Sequence, residues 1–219
     1  MATSFLDRLD VADRDALLAL LRPRAFVRGD VIFRSGEEGS LFGILLSGRT
    51  KVVAHGPSER SILIDLQGPG DLIGELSVLT GEPRSADVIA VEPVRVGIAP
   101  ALTLRRLAER PNVSLALLAT LGERLRDANS GRWEIATLTA EQRVGVRLLQ
   151  LVDRYGRTDE TGTRIELPIS QDELADWTGL SRPAVARVLA QLRGEGLVTT
   201  ARRSLSVLDS DALRALFGR

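Results

Sequence analysis

Apolar residues along the chain follow three successive rhythms. Between Asp10 and Leu21 they recur at helical spacing, with Asp10 placed to cap a short amphipathic helix and Leu17, Leu18, Leu20 and Leu21 on its buried side. From Ala25 to Ala99 the rhythm shortens to β-branched runs: Val31 to Phe33, Ile44 to Leu46, Lys51 to Val53, Ile62 to Leu66, Val88 to Val91 and Val94 to Ile98. Turn chemistry separates them at Gly29-Asp30, Ser35-Gly36, Ser47-Gly48, Gly56-Pro57, Gly68-Pro69-Gly70-Asp71 and Gly81-Glu82-Pro83. Ten of the 20 glycines fall between Gly29 and Gly81, a density that suits the frequent reversals of an antiparallel sandwich or barrel. The pattern predicts an all-β module behind a small N-terminal helix.

After Pro100 the strand pattern stops. A short helical piece is predicted around Ala101 to Glu109, then a long helix that Pro111 opens in its first turn. Within it Leu118, Leu121, Leu125, Ala128, Arg132 and Ile135 follow at spacings of 3, 4, 3, 4 and 3, a heptad seam. Leu115 and Leu117 suit a helix packed on its own domain; the spacing favours a seam between two copies and leaves both open. Thr139 and Gln142 make a capping box for a further helix that ends at Tyr155-Gly156.

The stretch Ile169 to Val198 is the most specific. Ser170 and Glu173 form a second capping box, Leu174 and Ala175 follow on the helix, Thr178-Gly179-Leu180 makes a turn, and Ser181 caps a second helix with Pro183 in its first turn. Val185, Val188, Leu189 and Leu192 share one face of that second helix. A small residue at Ala175 and a glycine four later let two helices cross closely, as in a helix-turn-helix. Beyond Gly196, the runs Leu197 to Thr200 and Leu205 to Leu208 flank Ala201-Arg202-Arg203-Ser204, a β-hairpin wing able to reach phosphates.

Composition narrows the chemistry. The 219 residues are 44% hydrophobic and 26% charged, as in an ordinary globular protein of one large or two small domains. Zero cysteines exclude disulfides, thiolate zinc sites, cysteine-held iron–sulfur clusters and a cysteine nucleophile. The single histidine, His55, stands beside Gly56-Pro57 and reads as a surface turn residue rather than a metal or haem ligand. Glu37-Glu38 and Asp159-Glu160 are sequence neighbours in loop-like stretches that do not aim at one point, and no phosphate-binding GKS loop is present. Nothing here supports an enzyme. The first ten residues have no apolar core of a signal peptide, and the run Ala16 to Leu21 is far short of the roughly 20 apolar residues of a membrane span, so a cytoplasmic protein is expected.

Charge is balanced overall, 29 basic against 29 acidic residues, but not locally. Between Arg182 and Arg203, five arginines against Glu195 leave a net +4. Arg182 and Arg187 lie away from the apolar face of the second helix, and arginine can pair bidentately with guanine O6 and N7 in a major groove. DNA binding is therefore predicted for this region. A second constellation joins Gly74-Glu75-Leu76 to Pro83-Arg84-Ser85-Ala86. Gly74 permits close backbone approach, Glu75 is an acceptor, Arg84 a planar fork for phosphate and Ser85 a hydroxyl donor. The same spacing is compatible with a loop carrying a surface Glu–Arg pair.

Ile73-Gly74-Glu75-Leu76, Arg84-Ser85-Ala86 and Leu180-Ser181-Arg182-Pro183-Ala184-Val185-Ala186-Arg187, in this order, resemble the cyclic-AMP receptor protein and fumarate–nitrate regulator (Crp/Fnr) family over nearly the whole chain. The resemblance implies an α+β architecture: an N-terminal β jelly-roll, cyclic-nucleotide-binding-like domain over 1–110, a long dimerisation helix over 111–138, and a C-terminal winged helix-turn-helix domain over 139–219. It implies a homodimeric bacterial transcription regulator joined through Leu118, Leu121, Leu125, Ala128 and Ile135. Its partners would be a near-palindromic operator and RNA polymerase, and its effector a cyclic nucleotide, cyclic AMP first, with no metal, haem or iron–sulfur cluster. By the same resemblance Glu75 accepts from the ribose 2′-hydroxyl, Arg84 and Ser85 with the backbone of Gly74 and Leu76 hold the cyclic phosphate, and Asn129 meets the base. Ser170, Ser181, Arg182, Ala184, Arg187, Arg202 and Arg203 would face DNA.

Two departures stand out. The family's Thr-Ser pair against adenine is Ala128-Asn129 here, and the alanine cannot hydrogen-bond through its side chain, so another nucleotide or no ligand is the alternative to cyclic AMP. The family's Ser-Arg-Glu becomes Ser181-Arg182-Pro183, which removes the acceptor for cytosine N4. A regulatory nucleotide-binding module without DNA binding is disfavoured by the helix-turn-helix.

Overall fold

The structure, a computed structural model, describes residues 3–56, 61–159, 162–167, 169–201 and 204–218. The chain divides into two compact units, Thr3–Ala128 and Asn129–Arg219. In the first, a 3-10 turn (Leu6–Arg8) precedes helix α1 (Val11–Leu20), which starts where the Asp10 carboxylate accepts from Asp13 N–H at 2.8 Å. Eight strands follow: β1 (Arg22–Phe26), β2 (Val31–Phe33), β3 (Leu41–Ser47), β4 (Thr50–His55), β5 (Ser61–Gln67), β6 (Leu72–Ile73), β7 (Asp87–Ala90) and β8 (Val94–Pro100). Helix α2 (Glu75–Thr80) lies between β6 and β7, and α3 (Ala101–Leu107) and α4 (Pro111–Thr137) follow β8.

The strands form two antiparallel four-stranded sheets, ordered β1-β8-β3-β6 and β2-β7-β4-β5, the jelly-roll expected. Phe33 and Val88 from one sheet meet Leu45, Ile73 and Val96 from the other in the core between them. On the far side of the first sheet, Phe42, Ile44 and Leu72 pack against Leu17, Val78, Leu104, Val113 and Leu117 from the helices. Strand β3 is thus buried on both faces, which explains its unbroken apolar run. Strand β1 (Arg-Pro-Arg-Ala-Phe) was only grazed by the apolar pattern, because it is a sheet edge whose pairing comes from β8 and whose Pro23 is tolerated there. On α1, Leu17 and Leu21 are buried but Leu20 is 53% exposed, contrary to expectation. At 100° per residue it falls off the stripe shared by Leu17, Leu18 and Leu21.

The second unit takes the end of α4, α5 (Ala140–Tyr155), β9 (Gly156–Asp159), β10 (Gly162–Ile165), α6 (Gln171–Thr178), α7 (Arg182–Gly194), β11 (Val198–Ala201), β12 (Ser204–Val207) and α8 (Ser210–Phe217). Its sheet is ordered β11-β12-β10-β9. Thr139 and Ser170 both cap with the reciprocal box, each accepting from a backbone N–H three residues on. Within this unit the β9–β10 hairpin and α8 lacked a reading in the sequence, as did the 3-10 turn and β6 in the first. Asp159 therefore ends a strand rather than lying in a loop, while Glu160 lies outside the described residues. Phe217 of α8 packs so closely on α5 that a Cβ at Gly145 would stand 2.3 Å from its ring. Buried Glu134 near the end of α4 meets Arg147 of α5 at 2.8 Å, and that guanidinium stacks 5.1 Å from the Trp177 ring of α6. No helix among the described residues is long and apolar enough to cross a membrane.

Candidate functional site

The glycine-glutamate turn sits where β6 gives way to α2. Gly74 has φ +70°, and a Cβ there would lie 2.5 Å from Arg84 Nη1 and 2.8 Å from Phe33, so both conformation and crowding require glycine. Arg84, at the end of the loop that leads into β7, is 7% exposed. Its Nη1 donates to Gly74 O at 2.5 Å and Ser77 Oγ at 2.7 Å, its Nη2 donates to Leu41 O at 2.5 Å, and its plane lies 4.1 Å from the Phe33 ring centroid. Nε is buried without a hydrogen-bond partner among the described residues, a state it shares with Nε of Arg8, Arg143 and Arg147. Burial pulls the Arg84 pKa below its ordinary value, against the opposing pull of Glu75 and Glu37. A buried cation with an orphaned N–H fits an anionic ligand, because an unmet buried donor is costly and an oxyanion would meet it.

The loop is held from behind. Arg84 N–H donates to Glu37 O at 2.8 Å, and Asp87 accepts from Ser35 N–H at 2.7 Å while pairing with His55 Nε2 at 2.9 Å. These contacts hold the Asp87 carboxyl below its usual range although burial works the other way. His55 is thus the last residue of β4 and hydrogen-bonds Asp87, so it ends a strand rather than lying in a turn.

Glu75 is 5% exposed and already engaged. Arg124 of α4 binds it through Nη1, donates from Nη2 to Leu72 O at 2.7 Å, and brings Nε to 4.0 Å from Asp65 of β5. Burial would lower the Arg124 pKa, but Glu75, Asp65 and Asp71 together raise it. Glu75 therefore does not stand as an open acceptor; any ribose hydroxyl shares its carboxylate with Arg124. Arg124 had one sequence signal, its place one helical turn before Ala128. Ser77, Phe33 and the Leu41 carbonyl had none. Of the expected effector residues, Gly74, Glu75 and Arg84 come together. Leu76 is 45% exposed, Ser85 is exposed, and Asn129 is an exposed residue of α4 belonging to the second unit.

In the second unit α6 and α7 are joined through Gly179 at φ +65°, with Leu180 N–H returning to Ala175 O at 3.0 Å. Leu174, Ala175, Val185, Val188, Leu189 and Leu192 bury the facing surfaces. Ser181, Arg182 and Arg187 are exposed, and Arg182 Nε lies 3.6 Å from Asp172 of α6. Ala184 is half-buried, and its N–H is capped by Ser181 Oγ at 3.4 Å. The Ser170 hydroxyl accepts from Glu173 N–H at 3.2 Å and donates to the Glu173 carboxylate at 2.8 Å, so its first task is the cap. Arg202 and Arg203 lie outside the described residues.

Residues 23–111 match the cyclic nucleotide-binding domain and residues 142–216 the Crp-like helix-turn-helix domain. The chain is 33% identical over 199 residues to a CRP-like cAMP-activated global transcriptional regulator of Mycobacterium tuberculosis, covering 90% of this chain and 89% of that one. The chain belongs to the Crp/Fnr family of transcription regulators. It is also 31% identical over 205 residues to a cyclic AMP receptor protein of Thermus thermophilus, covering 92% of this chain and 91% of that one. A solved Crp-family transcriptional regulator from Thermus thermophilus superposes with a TM-score of 0.76 at 28% identity, over 90% of this chain and 97% of that one. In this Crp/Fnr protein three of the heptad positions of α4, Leu118, Leu125 and Ile135, are 65%, 63% and 57% exposed, while Leu121 between them is half-buried. Leu115 is exposed with them, so only Leu117 of the pair packs on its own domain.

Proposed function

We propose that the protein is a homodimeric regulator whose grip on DNA is set by a 3′,5′-cyclic nucleotide held in the β-roll. The observation that carries this is Arg84, buried and stacked on Phe33 with Nε–H lacking a partner among the described residues, as a cyclic phosphate would need. The ribose then lies against Glu75. Because Glu75 is also what Arg124 of α4 grips, a sugar that shares this carboxylate alters how α4 is held to the roll. Only a ligand that binds one arrangement better than the other can shift the equilibrium between them, and this contact supplies the difference. The exposed face of α4 joins two copies, and two α7 helices enter successive major grooves about 34 Å apart on a near-palindromic duplex. The regulator works in the cytoplasm, with RNA polymerase as the partner that reads out its position on DNA.

A second arrangement, DNA binding without ligand, is favoured by the same Arg124 clamp, since α4 is already tied to Glu75 and Leu72. Fluorescence anisotropy on selected operator DNA separates the two. Cyclic nucleotide is expected to tighten binding by at least about tenfold, within the usual range of allosteric coupling. Equal affinity with and without nucleotide would remove effector control.

Arg187→Ala is expected to cost about 1–3 kcal/mol on the operator and to relax one base position. Binding to random-sequence competitor measures this directly; uniform weakening on all DNA would place Arg187 on the backbone instead.

A further inference from the structure

We propose that His55 is a positioning residue of the effector site, holding the Arg84 loop in place through Asp87; this rests on the cyclic-nucleotide function above. Arg84 is placed by its main chain as much as by its guanidinium. Its N–H donates to Glu37 O at 2.8 Å, and its carbonyl accepts from Gly36 N–H at 2.9 Å and from the Ser35 hydroxyl at 3.4 Å. All three contacts come from one turn, residues 34–37, which Glu37 N–H closes on Arg34 O at 3.3 Å. Asp87, the first residue of β7, anchors that turn: Oδ1 accepts from Ser35 N–H at 2.7 Å, and Oδ2 meets His55 Nε2 at 2.9 Å. Asp87 pairs with Val53 of β4, so His55, two residues further on, approaches it diagonally from the end of the same strand. One carboxylate thereby ties β4 to the turn that grips Arg84.

Asp87 is 7% exposed, and a buried carboxylate is costly wherever one of its oxygens loses a donor. Taking the imidazole from Oδ2 therefore draws Asp87 toward water and away from Ser35 N–H. The turn then loosens, and the nucleotide must order Arg84 as it binds, a cost subtracted from its affinity. The DNA-binding unit makes none of these contacts.

His55, the only histidine in the chain, also makes this anchor sensitive to pH. Its side chain is 47% exposed, so it exchanges protons with solvent. On β7 it faces Asp87, to which Arg34 adds a weaker attraction, and its partner on β5 is Ser61, which does not titrate in this range. Although burial works to raise its pKa, the bonds from Ser35 N–H and His55 keep the Asp87 carboxyl below the usual carboxylate range. Protonation of the imidazole then converts a neutral donor on a carboxylate into an ion pair, which tightens the anchor. Nucleotide binding is accordingly favoured at the acidic end, and binding takes up protons.

Calorimetric titration of the purified full-length protein with cyclic AMP and cyclic GMP, continued with whichever binds more tightly, tests this. Between about pH 5 and pH 8, the range in which imidazole changes charge, the dissociation constant is expected to rise about threefold, the size of a half-exposed ion pair. The cyclic phosphodiester stays a monoanion throughout. His55→Ala is expected to bind about fivefold or more weakly at every pH, the lower end of coupling between linked sites. His55→Gln, whose Nε2 amide donates without titrating, is expected to recover the affinity that wild-type protein has at the alkaline end and to show no pH slope. His55→Ala protein that is folded by thermal melting and binds as tightly as wild type, His55→Gln as weak as His55→Ala, or a slope that persists in His55→Gln would each overturn the role of His55 alone. Binding of neither nucleotide by the wild-type protein would overturn the cyclic-nucleotide function with it.

Discussion

Arg84→Ala is expected to raise the dissociation constant for cyclic nucleotide by about a hundredfold or more, on the basis of about 1.5–3 kcal/mol for each hydrogen bond to a charged group. With Gly74 O, Ser77 Oγ and Leu41 O already holding three of its N–H groups, the fork keeps two, Nε–H and one on Nη2, for the proposed phosphate, and Arg84 is only 7% exposed, so water is a poor substitute for them. The substitution also strips donors from Gly74 O and Leu41 O, so loss of binding must be separated from loss of the loop. Arg84→Lys serves that purpose. It keeps the charge but presents one ammonium instead of a planar fork, and an intermediate loss of affinity is expected. Calorimetry on folded protein, checked by thermal melting, reads both variants, and low-salt binding to non-specific DNA through the other unit should survive in each. An unchanged titration with folded Arg84→Ala would take the phosphate away from this residue.

What was legible in the sequence was what depends on near neighbours. Asp10, Thr139, Ser170 and Ser181 all cap helices, because a cap needs only an oxygen and an N–H two or three residues on. The β-branched runs became strands because burial between two sheets selects them. Strand β9 (Gly-Arg-Thr-Asp) gave no signal because it is an exposed edge whose pairing to β10 supplies the structure that its side chains do not. Helix α8 did carry one, Leu213 and Phe217 four apart behind Asp209, which caps at 2.8 Å from Ala212 N–H.

The candidate site divides in the same way. Gly74, Glu75 and Arg84 were visible as a spaced motif. Leu41 contributes only a backbone carbonyl, and Arg124 reaches Glu75 from a residue 49 positions away, so neither could show in a local pattern. Arg124 also alters the meaning of the motif. Glu75 looked like a simple acceptor and is instead half of a buried ion pair between the roll and the long helix.

The same helix carries the other large effect. Replacing both Leu118 and Leu125 by Glu is expected to give a monomer at micromolar concentration in analytical ultracentrifugation, and to lower operator affinity by about three orders of magnitude. Both leucines are nearly two-thirds exposed in one copy, so the substitution leaves the roll core untouched while Leu117 and Ala116, on the opposite side, stay buried. Each leucine fully buried contributes about 1.5–3 kcal/mol, and a symmetric seam loses four of them at once. Such a loss is comparable with the whole surplus left to a typical interface after it has met the cost of association. The facing glutamates add like-charge repulsion. DNA affinity falls because a dimer presents its second recognition helix at an effective concentration near millimolar, and a monomer must bind each half-site alone. Arg84 and Glu75 lie in the roll of a single copy, so nucleotide binding there is expected to persist in the monomer. A double variant that still sediments as a dimer would move the interface off α4, and with it the route by which a ligand at Glu75 reaches the DNA-binding domains.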